Sequence, residues 1–541
     1  MNFFLNLSTE TGWIANSNKD IQIFFKGYLN NLSISNLIKH LSSISFNEDK
    51  LDKFFKKLDG HFSIILIQKD ALLIAVDRIS SIPIILVKKE KNIFIADNYT
   101  NLLGVLKKKK KLSLDTRQTR HLAMSGFTFG SSGVFKEVII SNPGSFLLLK
   151  NKLLIKKKYH DWRPFKKQKC KSTLLKSKLI KINNNIISKL IKTCNNRFIV
   201  IPLSAGYDSR FILSGLIDKG YKNIITFSYG RKENRELNTA RKIAEYLKVP
   251  WNYIEFTNYN KKKIAISETY TKFKYFSDTT QSVHFPQDFQ AIHYLKNNKI
   301  IPKDSIIVNG QSGDFITGNH IPELKEKNSF DEVFHYFFLK HYKIWKSLMS
   351  ENKEIIKKSF LKRVEGIKNY DTNVTSSDFL IEAFQKIEYE DRQIKYVVSG
   401  QKAYEFFGYE WRLPLWDNDY IDFWEKVDIA YKIKQNLYRE VLKEQNWGDV
   451  WHKFPLNPPN TFSVNMQFIR FLFKCIFLLY GKNKWHAFEK RYLDYYMNPL
   501  CGYAPWSYLK IMKDNRGFTN SLSFYIEEYL QEKGTNWKGI V

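Results

Sequence analysis

Cysteine is scarce in this 541-residue chain, and the four that occur stand far apart, at Cys170, Cys194, Cys475 and Cys501. The sequence has no CxxC pair and no Cys/His spacing typical of a metal site, which argues against a zinc site or a disulfide framework. A reducing, cytoplasmic setting is therefore the expectation.

Long apolar runs are also missing. The first residues lack the basic flank and the long apolar core of a signal peptide. The most apolar later stretch, Phe468 to Tyr480, is interrupted by Arg470 and Lys474 and is too short to span a bilayer. We expect no transmembrane segment and predict a buried helix here, with a helix lying on a membrane surface as the alternative.

Acidic residues are outnumbered: 86 Lys and Arg stand against 53 Asp and Glu, a formal net charge of +33. A nucleic-acid partner must therefore be considered. However, Lys is spread along the whole chain together with Ile and Asn, and Arg, which is favoured for bidentate phosphate recognition, is scarce. A solvated loop explains the densest cluster, Lys107 to Lys111, equally well. We expect no specific nucleic-acid partner.

Two parts of the chain differ in pattern. In the first, short β-branched and aromatic runs such as Phe62 to Gln68 alternate with turns and a few helical segments, which predicts an α+β unit with antiparallel sheets. In the second, strands such as Phe198 to Leu203 alternate with helices, which predicts an α/β unit with a parallel sheet, and a mainly helical part follows Ser329. The predicted domains are residues 1–165 and 173–541.

The most informative stretch is residues 200–210, Val-Ile-Pro-Leu-Ser-Ala-Gly-Tyr-Asp-Ser-Arg. A buried strand, a tight polar loop and a helix follow one another here, so that backbone N–H groups and the positive helix end form an anion pocket. Ser204 and Ser209 add hydroxyl donors and Asp208 adds a carboxylate for a cation. This combination suits the pyrophosphate of a nucleotide triphosphate, although a plain Ser/Gly turn is the alternative.

Two further polar loops follow predicted strands. Residues 227–230 are Phe-Ser-Tyr-Gly, with Glu236 in the next helix, and this strand end is suited to hydrogen-bonding an adenine edge. Residues 310–314 are Gly-Gln-Ser-Gly-Asp. Because ligands bind at the carboxyl ends of parallel strands, Asp208 and Asp314 are predicted to share Mg²⁺. For each loop alone, an ordinary turn residue or helix-terminal acid is an equally good explanation.

A fourth motif carries a charged pair, Glu410 and Arg412, inside the apolar run from Phe406 to Trp416. Charges in such a setting must be paired or functional. A structural ion pair is the commoner outcome, and a substrate contact is the alternative.

In order, these four motifs resemble the asparagine synthetase family, which carries S-G-G-x-D-S-S, F-S-x-G, S-G-E-G-A-D-E and E-x-R-x-P-F-L-D. The first part is similar to class II glutamine amidotransferase domains, through Leu58 to Ser63, Ala75 to Pro83 and Asn142 to Gly144. The resemblance implies an N-terminal-nucleophile-hydrolase-like domain, then an ATP-pyrophosphatase domain of the adenine nucleotide alpha-hydrolase type.

Departures from the family matter as much. Asn2 stands where the family has its catalytic Cys, so no thiolate is present to attack a glutamine amide. Ala205 replaces a loop Gly, so the backbone must avoid positive φ or carry strain. Arg210 replaces a Ser and is predicted to add a phosphate contact. Pro459 stands at the position of the family's Lys, with Lys453 and Lys434 as candidate substitutes.

Together these features predict an ATP-dependent amide-forming ligase that adenylates a small carboxylate, releases pyrophosphate and accepts ammonia or an amine, with an inactive glutaminase half. The implied cofactors are ATP and Mg²⁺, and a homodimer is left open. An RNA-modifying adenylating enzyme and a non-catalytic relative are the alternatives. The predicted site residues are Leu203, Ser204, Gly206, Asp208, Ser209, Arg210, Phe227, Ser228, Gly310 and Gln311 for ATP, Asp208 and Asp314 for the metal, Asp208, Lys453 and Lys434 for catalysis, and Glu236, Glu410 and Arg412 for substrate.

Overall fold

The computed structural model describes residues 1–44, 46–106, 112–164, 170–232, 234–322, 328–370, 378–456, 462–477 and 479–535. The basic cluster Lys107 to Lys111 and the position of Pro459 therefore lie outside the described residues, as do residues 165–169 near the boundary between the two predicted domains. Across the part of the chain that is described, no helix has the length and apolar character needed to cross a membrane.

Fifteen strands are formed by the described residues. In chain order they are β1 Asn2–Asn6, β2 Ile14–Ser17, β3 Ile21–Leu29, β4 Gly60–Gln68, β5 Ala71–Val76, β6 Ile85–Lys89, β7 Asn92–Ala96, β8 Ile139–Ile140, β9 Ser145–Lys150, β10 Leu153–Lys158, β11 Ile199–Pro202, β12 Ile224–Gly230, β13 Trp251–Glu255, β14 Ile306–Val308 and β15 Glu410–Arg412.

The α-helices span Ile34–Ser42, Glu48–Lys57, Tyr99–Val105, Thr116–Ser125, Ser172–Cys194, Tyr207–Asp218, Arg235–Tyr246, Asn258–Ala265, Glu268–Ser277, Phe289–Asn297, Gly313–Ile316, Phe330–His341, Met349–Tyr370, Phe379–Glu388, Lys402–Phe406, Asn418–Lys426, Ile429–Lys432, Asn436–Gln445, Val464–Phe477, Lys482–Phe488, Asp494–Met497, Tyr508–Lys513 and Leu522–Glu532. Two π-helical stretches, Tyr389–Val397 and Glu489–Leu493, interrupt the helical part.

The first ten strands form two sheets, as the sequence predicts. Strands β10-β9-β5-β4-β3-β2 make a six-stranded antiparallel sheet, and β1-β7-β6-β8 make a four-stranded sheet in which β1 runs parallel to β7. Side chains of β4 alternate between two cores because the strand has a period of two. Ile64 packs with the helices Ile34–Ser42 and Glu48–Lys57, and Ile65 packs toward the smaller sheet.

Strands β11 to β15 form a parallel sheet in the order β13-β12-β11-β14-β15. This confirms the predicted α/β class, and it also shows that the motif carrying Glu410 is itself the edge strand β15. The strand order reverses at β11, so β11 and β14 flank the point where open parallel sheets bind ligands. All residues of β14 and the first three of β11 are buried, which explains their uninterrupted apolar sequence.

One predicted core helix is exposed. Helix Val464–Phe477 has no buried residue, and its apolar side chains include Phe468 at 61% and Phe471 at 63% exposure. The prediction of a buried helix for this stretch was therefore wrong. Apolar residues are spread over most of the surface of this helix. A buried helix and an uncovered helix can both have such a sequence, so the pattern does not distinguish them.

Candidate functional site

A cavity of about 920 Å³ opens at the carboxyl ends of β11, β12 and β14. Its position follows from the strand order, since the loops after neighbouring parallel strands must meet at one edge of the sheet. Ten of the residues predicted from the sequence line it: Leu203, Ser204, Asp208, Ser209, Phe227, Ser228, Glu236, Gly310, Gln311 and Asp314.

The loop after β11 is held in shape by its own serines. The backbone N–H of Ser204 donates to Ser209 Oγ at 3.0 Å, the two hydroxyl groups lie 3.1 Å apart, and the N–H of Gly206 donates to Ser204 Oγ at 3.1 Å. Gly206 precedes helix Tyr207–Asp218, and no side chain caps the helix start. The first N–H groups of this helix are therefore left for a ligand, which is the arrangement that binds anions.

Asp208 and Asp314 meet although 106 residues separate them in sequence. The backbone N–H of Asp314 donates to Asp208 Oδ2 at 3.1 Å, and the Tyr438 hydroxyl donates to Oδ1 at 3.3 Å. Two glycines make this approach possible. A Cβ on Gly310 would lie 2.8 Å from Asp208 Cβ, and one on Gly313 would lie 2.4 Å from Asp208 Cγ.

The two carboxyl groups differ in their electrostatic surroundings. Burial raises the pKa of Asp208 well above its usual range, and the charge of Asp314 adds to the rise. For Asp314, burial works against ionisation, yet the hydrogen bond and charge of His320 outweigh it and hold the pKa below its usual value. His320 Nε2 lies 3.0 Å from Asp314 Oδ2, and its Nδ1 lies 2.5 Å from the buried Glu388.

Such a carboxylate pair fits a hard divalent cation. Asp314 keeps 46% of its side chain exposed toward the cavity, and ionised carboxylates are the ligands that Mg²⁺ takes beside phosphate groups. Burial and the charge of Asp314 raise the pKa of Asp208, so ionising Asp208 beside Asp314 is costly. A bound cation would remove that cost.

The residues predicted to lie beside adenine are ordered by the sheet. Ser228 Oγ donates to the carbonyl of Leu203 at 2.7 Å and accepts from Trp251 Nε1 at 2.9 Å, which ties the ends of β11, β12 and β13 together. Glu236 begins helix Arg235–Tyr246 behind the Asn234 cap, and burial raises the pKa of this carboxyl group. Glu236 therefore adds an acidic wall to the cavity.

Arg210 does not make the predicted phosphate contact in this arrangement. Its side chain is fully buried, and its guanidinium donates to the carbonyl oxygens of Phe454 at 3.1 Å, Pro455 at 2.9 Å and Ala205 at 3.0 Å. The substitution of Ser by Arg thus anchors the segment that follows helix Asn436–Gln445. Ala205 is buried and has no positive φ, so it carries no strain of that kind.

Neither predicted catalytic lysine lines the cavity. Lys453 is 46% exposed and is held at the surface by Asp449 and Tyr246, and Lys434 lies in a 3₁₀ turn at positive φ. The cavity instead contains Lys261 and Lys340. Burial lowers the pKa of Lys261 to about 8, and burial also lowers that of Lys340 despite the charge of Glu388.

Only one of these two lysines left a signal in the sequence. Lys261 lies in helix Asn258–Ala265, directly after β13, so it reaches the ligand edge by the same rule that places Asp208. Lys340 comes from the end of helix Phe330–His341, which follows no strand of the sheet. The position of Lys340 depends on long-range packing, so the local sequence does not predict it.

Glu410 and Arg412 form a structural ion pair outside the cavity, so the substrate role is not supported. Arg197 binds both carboxylate oxygens of Glu410, at 2.6 and 3.2 Å, and Arg412 Nη2 lies 3.1 Å from Glu410 Oε2. The guanidinium of Arg412 stacks 4.0 Å above the Tyr28 ring. Strand β15 is thereby joined to β3, and Arg412 Nη2 also donates to the carbonyl oxygen of Thr193, in helix Ser172–Cys194, at 3.3 Å.

In the first part, residues 26–30 stand where the resembled amidotransferase domains have their glutamine-holding segment, and most of this stretch is ordinary strand. Gly27 and Tyr28 lie in β3 and pair with Phe62 and His61 of β4. Lys26 is buried, and its Nζ lies 2.7 Å from Glu405.

Residues 198–287 match the family model described as Queuosine biosynthesis protein QueC. Over 59 residues, 11% of this chain, the sequence is 39% identical to 7-cyano-7-deazaguanine synthase of Caldicellulosiruptor saccharolyticus, and the match spans 26% of that protein. The matched QueC stretch contains the loop after β11, strands β12 and β13, and Lys261.

Solved structures with similarity to the chain include NH3-dependent NAD synthetase from Campylobacter jejuni, at 13% identity and a TM-score of 0.22, covering 41% of this chain and 94% of that one. Another is glutamine phosphoribosylpyrophosphate amidotransferase from B. subtilis, at 8% identity and a TM-score of 0.20, covering 56% and 64%. TM-scores as low as these do not indicate a shared overall shape. The sequence match is thus confined to a segment of the parallel-sheet part, and this segment is similar to QueC.

Proposed function

We propose that this protein is an ATP-dependent amide-forming ligase whose adenylation site is the cavity at the ends of β11 and β14. A carboxylate oxygen of the substrate attacks the α-phosphorus of ATP, the bond to the bridging oxygen breaks, and pyrophosphate leaves. The nitrogen of ammonia or an amine then attacks the acyl carbon, and AMP leaves as the amide forms. The observation that carries this proposal is the contact of Asp208 with the Asp314 loop beside an uncapped helix start.

Each group in the cavity has a part in this proposal. The hydroxyl groups of Ser204 and Ser209 and the free N–H groups of helix Tyr207–Asp218 bind the pyrophosphate oxygens. Asp208 and Asp314 would hold Mg²⁺, which reduces the charge on the phosphates when bound. Lys261 lines the same cavity and serves as a donor to the reacting carboxylate.

In this proposal the amide nitrogen is supplied by ammonia or an amine, and the chain does not release it from glutamine itself. Asn2 is a residue of strand β1, with no thiol in its place, and its side-chain amide donates to Asn92 at 3.0 Å. Lys26 fills the position compared with the glutamine pocket. The size of the cavity, about 920 Å³, leaves space for a carboxylate substrate and an amine as well as ATP.

Pyrophosphate release is the direct test. The full chain is mixed with ATP and Mg²⁺ over panels of carboxylates and amines, with ammonia and with glutamine as alternative nitrogen sources. The expected result is a single turnover of release with one carboxylate alone and continued release only when ammonia or an amine is also present, with glutamine inactive. Glutamine-supported release would contradict the inactive glutaminase half, while leaving adenylation intact.

The two alternatives give different results in the same experiments. An RNA-modifying enzyme would show a salt-sensitive tRNA gel shift and release pyrophosphate only with RNA. A non-catalytic relative that has lost its nucleotide site would show no rise in melting temperature on addition of ATP, because a ligand that binds the folded state must stabilise it. The QueC match and the retained Asp208 and Asp314 support the ligase over both.

A further inference from the structure

A second cavity, of about 720 Å³, lies between the first part of the chain and the helical part. The π-helix Tyr389–Val397 separates it from the adenylation cavity. Ile394 and Lys395 face the second cavity, while Gln393 and Tyr396 line the first. π-Helical turns are uncommon and often occur at functional sites. The proposed ligase reaction makes no use of this second space.

The walls of the second cavity are strongly basic. Seven lysines and one arginine line it, against two acidic residues, Asp161 and Glu390. Those two acids are already shared among four cations: Lys386 and Lys158 contact Asp161 at 2.8 Å each, Arg163 contacts it at 3.2 Å, and Arg363 pairs with Glu390. Two more lysines of the wall pair with acids just outside it, Lys395 with Asp391 at 2.7 Å and Lys157 with Asp49 at 3.0 Å. Among the described residues, the positive charge that remains without a close acidic partner is that of Lys156, Lys362 and Lys402.

Lys402 shows the excess most clearly. Its side chain is only 3% exposed, and the ion pair that the described part of the chain provides for it is to Glu405 Oε2 at 3.5 Å. The same oxygen is bound more closely by Lys26, at 2.7 Å, and Glu405 Oε1 accepts from Trp411 Nε1 at 2.9 Å. Two buried ammonium groups thus share one carboxylate. A buried charge with so weak a partner is costly unless a further anion compensates it.

The charges are distributed from the interior to the rim. Lys402 and Lys395 lie deep in the cavity, whereas Lys156 and Lys362 are exposed at its mouth. A single phosphate or carboxylate would reach one end only. A ligand with several negative groups along its length would contact both.

We propose that this second cavity binds a ligand with two or more anionic groups, phosphate or carboxylate, at a site distinct from the adenylation cavity. The ligand compensates the charge of Lys402 in the interior and meets Lys362 at the mouth. The proposal is independent of the ligase activity, because it rests on residues that the adenylation cavity does not contain.

Calorimetric titration of the full chain at low ionic strength tests the proposal, with tripolyphosphate as the phosphate probe and citrate as the carboxylate probe. Binding of one or both is expected, and the stronger of the two identifies the anionic group. Because tripolyphosphate can also enter the adenylation cavity, both titrations are repeated on Asp208→Asn and in the presence of a non-hydrolysable ATP analogue with Mg²⁺. Binding that survives saturation with the analogue belongs to the second cavity.

Lys402→Met separates a ligand-binding role from a structural one. If the role of Lys402 is to bind an anionic ligand, its removal leaves Glu405 paired with Lys26 alone. The melting temperature without ligand is then expected to stay equal or rise. Affinity for the bound probe is expected to fall about tenfold or more, as for the loss of a charge-assisted hydrogen bond. Lys362→Ala is expected to weaken binding less, and Lys353→Ala, an exposed lysine of the same helix outside the cavity, is expected to change nothing.

Two results would overturn the proposal. One is the absence of binding of either probe to the wild-type chain at millimolar concentrations. The other is binding that Lys402→Met and Lys362→Ala leave unchanged. A lower melting temperature in Lys402→Met together with unchanged affinity would show that Lys402 serves only to hold Glu405.

Discussion

Asp208 accepts a hydrogen bond from the backbone N–H of Asp314 at 3.1 Å, which fixes the first residues of two separate helices against each other. Asp208 belongs to helix Tyr207–Asp218 and Asp314 to the short helix Gly313–Ile316. Two loops from neighbouring strands are thus joined through a carboxylate rather than through an apolar contact. This contact places the Asp208 carboxyl group where burial raises its pKa.

Asp208→Asn is expected to separate function from stability. The amide keeps the size of the side chain and removes a buried carboxylate beside another, so the melting temperature should stay equal or rise. Pyrophosphate release should fall by about 10²- to 10³-fold, the usual effect of losing a key electrostatic group. Asp218→Asn, at the exposed end of the same helix, is the matched control. Wild-type release by Asp208→Asn would remove this residue from the proposed site.

Gly313→Ala is expected to damage the site by steric crowding. The added Cβ would lie 2.3 Å from Leu415 Cδ1 and 2.4 Å from Asp208 Cγ, so the carboxylate must shift. We expect a loss of stability of about 1–3 kcal/mol in denaturant unfolding, with a larger relative loss of pyrophosphate release.

Gly366→Ala provides the comparison for this substitution. Gly366 lies inside helix Met349–Tyr370, and a Cβ there meets no atom within 4 Å. Because alanine is the better helix former, this variant should gain up to about 1 kcal/mol. Equal effects of the two glycine substitutions would show that the approach to Asp208 is not the constraint.

The sequence predicted the parts of the site that depend on strand order, and missed the parts that depend on tertiary packing. Ser204, Asp208, Gly310 and Asp314 follow buried strands directly, so the parallel-sheet rule alone brings them together. Lys340 reaches the same cavity from a helix with no such relation to the sheet. The sequence pattern around Lys340 does not indicate that its side chain lies at this cavity.

Arg210 shows the same dependence on tertiary packing. A cation beside a phosphate loop favours a phosphate contact on chemical grounds. In the structure the guanidinium turns away to the carbonyl groups of Val450, Phe454 and Pro455, which come from 240 or more residues later in the chain. The chemistry of the side chain was predictable, but the partner it finds is set by where the later segment packs.

Arg210→Lys should therefore reduce stability rather than nucleotide affinity. One ammonium group cannot serve the carbonyls that the guanidinium reaches, and unsatisfied buried carbonyls cost about 1–3 kcal/mol each. We expect a lower melting temperature and faster hydrogen exchange in residues 450–455, with KM for ATP within about twofold of wild type by pyrophosphate release. A large rise in KM at unchanged stability would restore the phosphate contact.

Lys261→Met is expected to lower kcat, whereas Lys453→Met is expected to have no effect. Lys261 lines the adenylation cavity, and burial lowers its pKa to about 8, while Lys453 pairs with Asp449 on the surface. Loss of a positioned cation from a water-poor site reduces turnover by about tenfold or more. Steady-state pyrophosphate release on both variants decides between them, and Lys434→Met serves as a second control. The reverse pattern would show that Lys453, and not Lys261, takes part in catalysis.

Two buried histidines should make the fold sensitive to mild acid. Burial lowers the pKa of His121 and of His284 to about 3 each, well below the ordinary value of about 6.5. As the pH falls, the unfolded chain binds protons that the folded chain refuses. Stability is therefore kept above about pH 6.5 and is lost as the pH falls toward the folded-state values.

The slope of the free energy of unfolding against pH can be assigned to individual histidines. Each histidine should contribute about 1.4 kcal/mol per pH unit below its unfolded pKa, measured by denaturant unfolding. In His284→Gln, which removes the imidazole that faces the Tyr270 hydroxyl at 2.8 Å, the slope should fall by that amount. His486→Gln, whose side chain is 56% exposed, should leave it unchanged. Equal slopes in all three proteins would mean that His284 takes up its proton without unfolding, and that the cavity around it admits water.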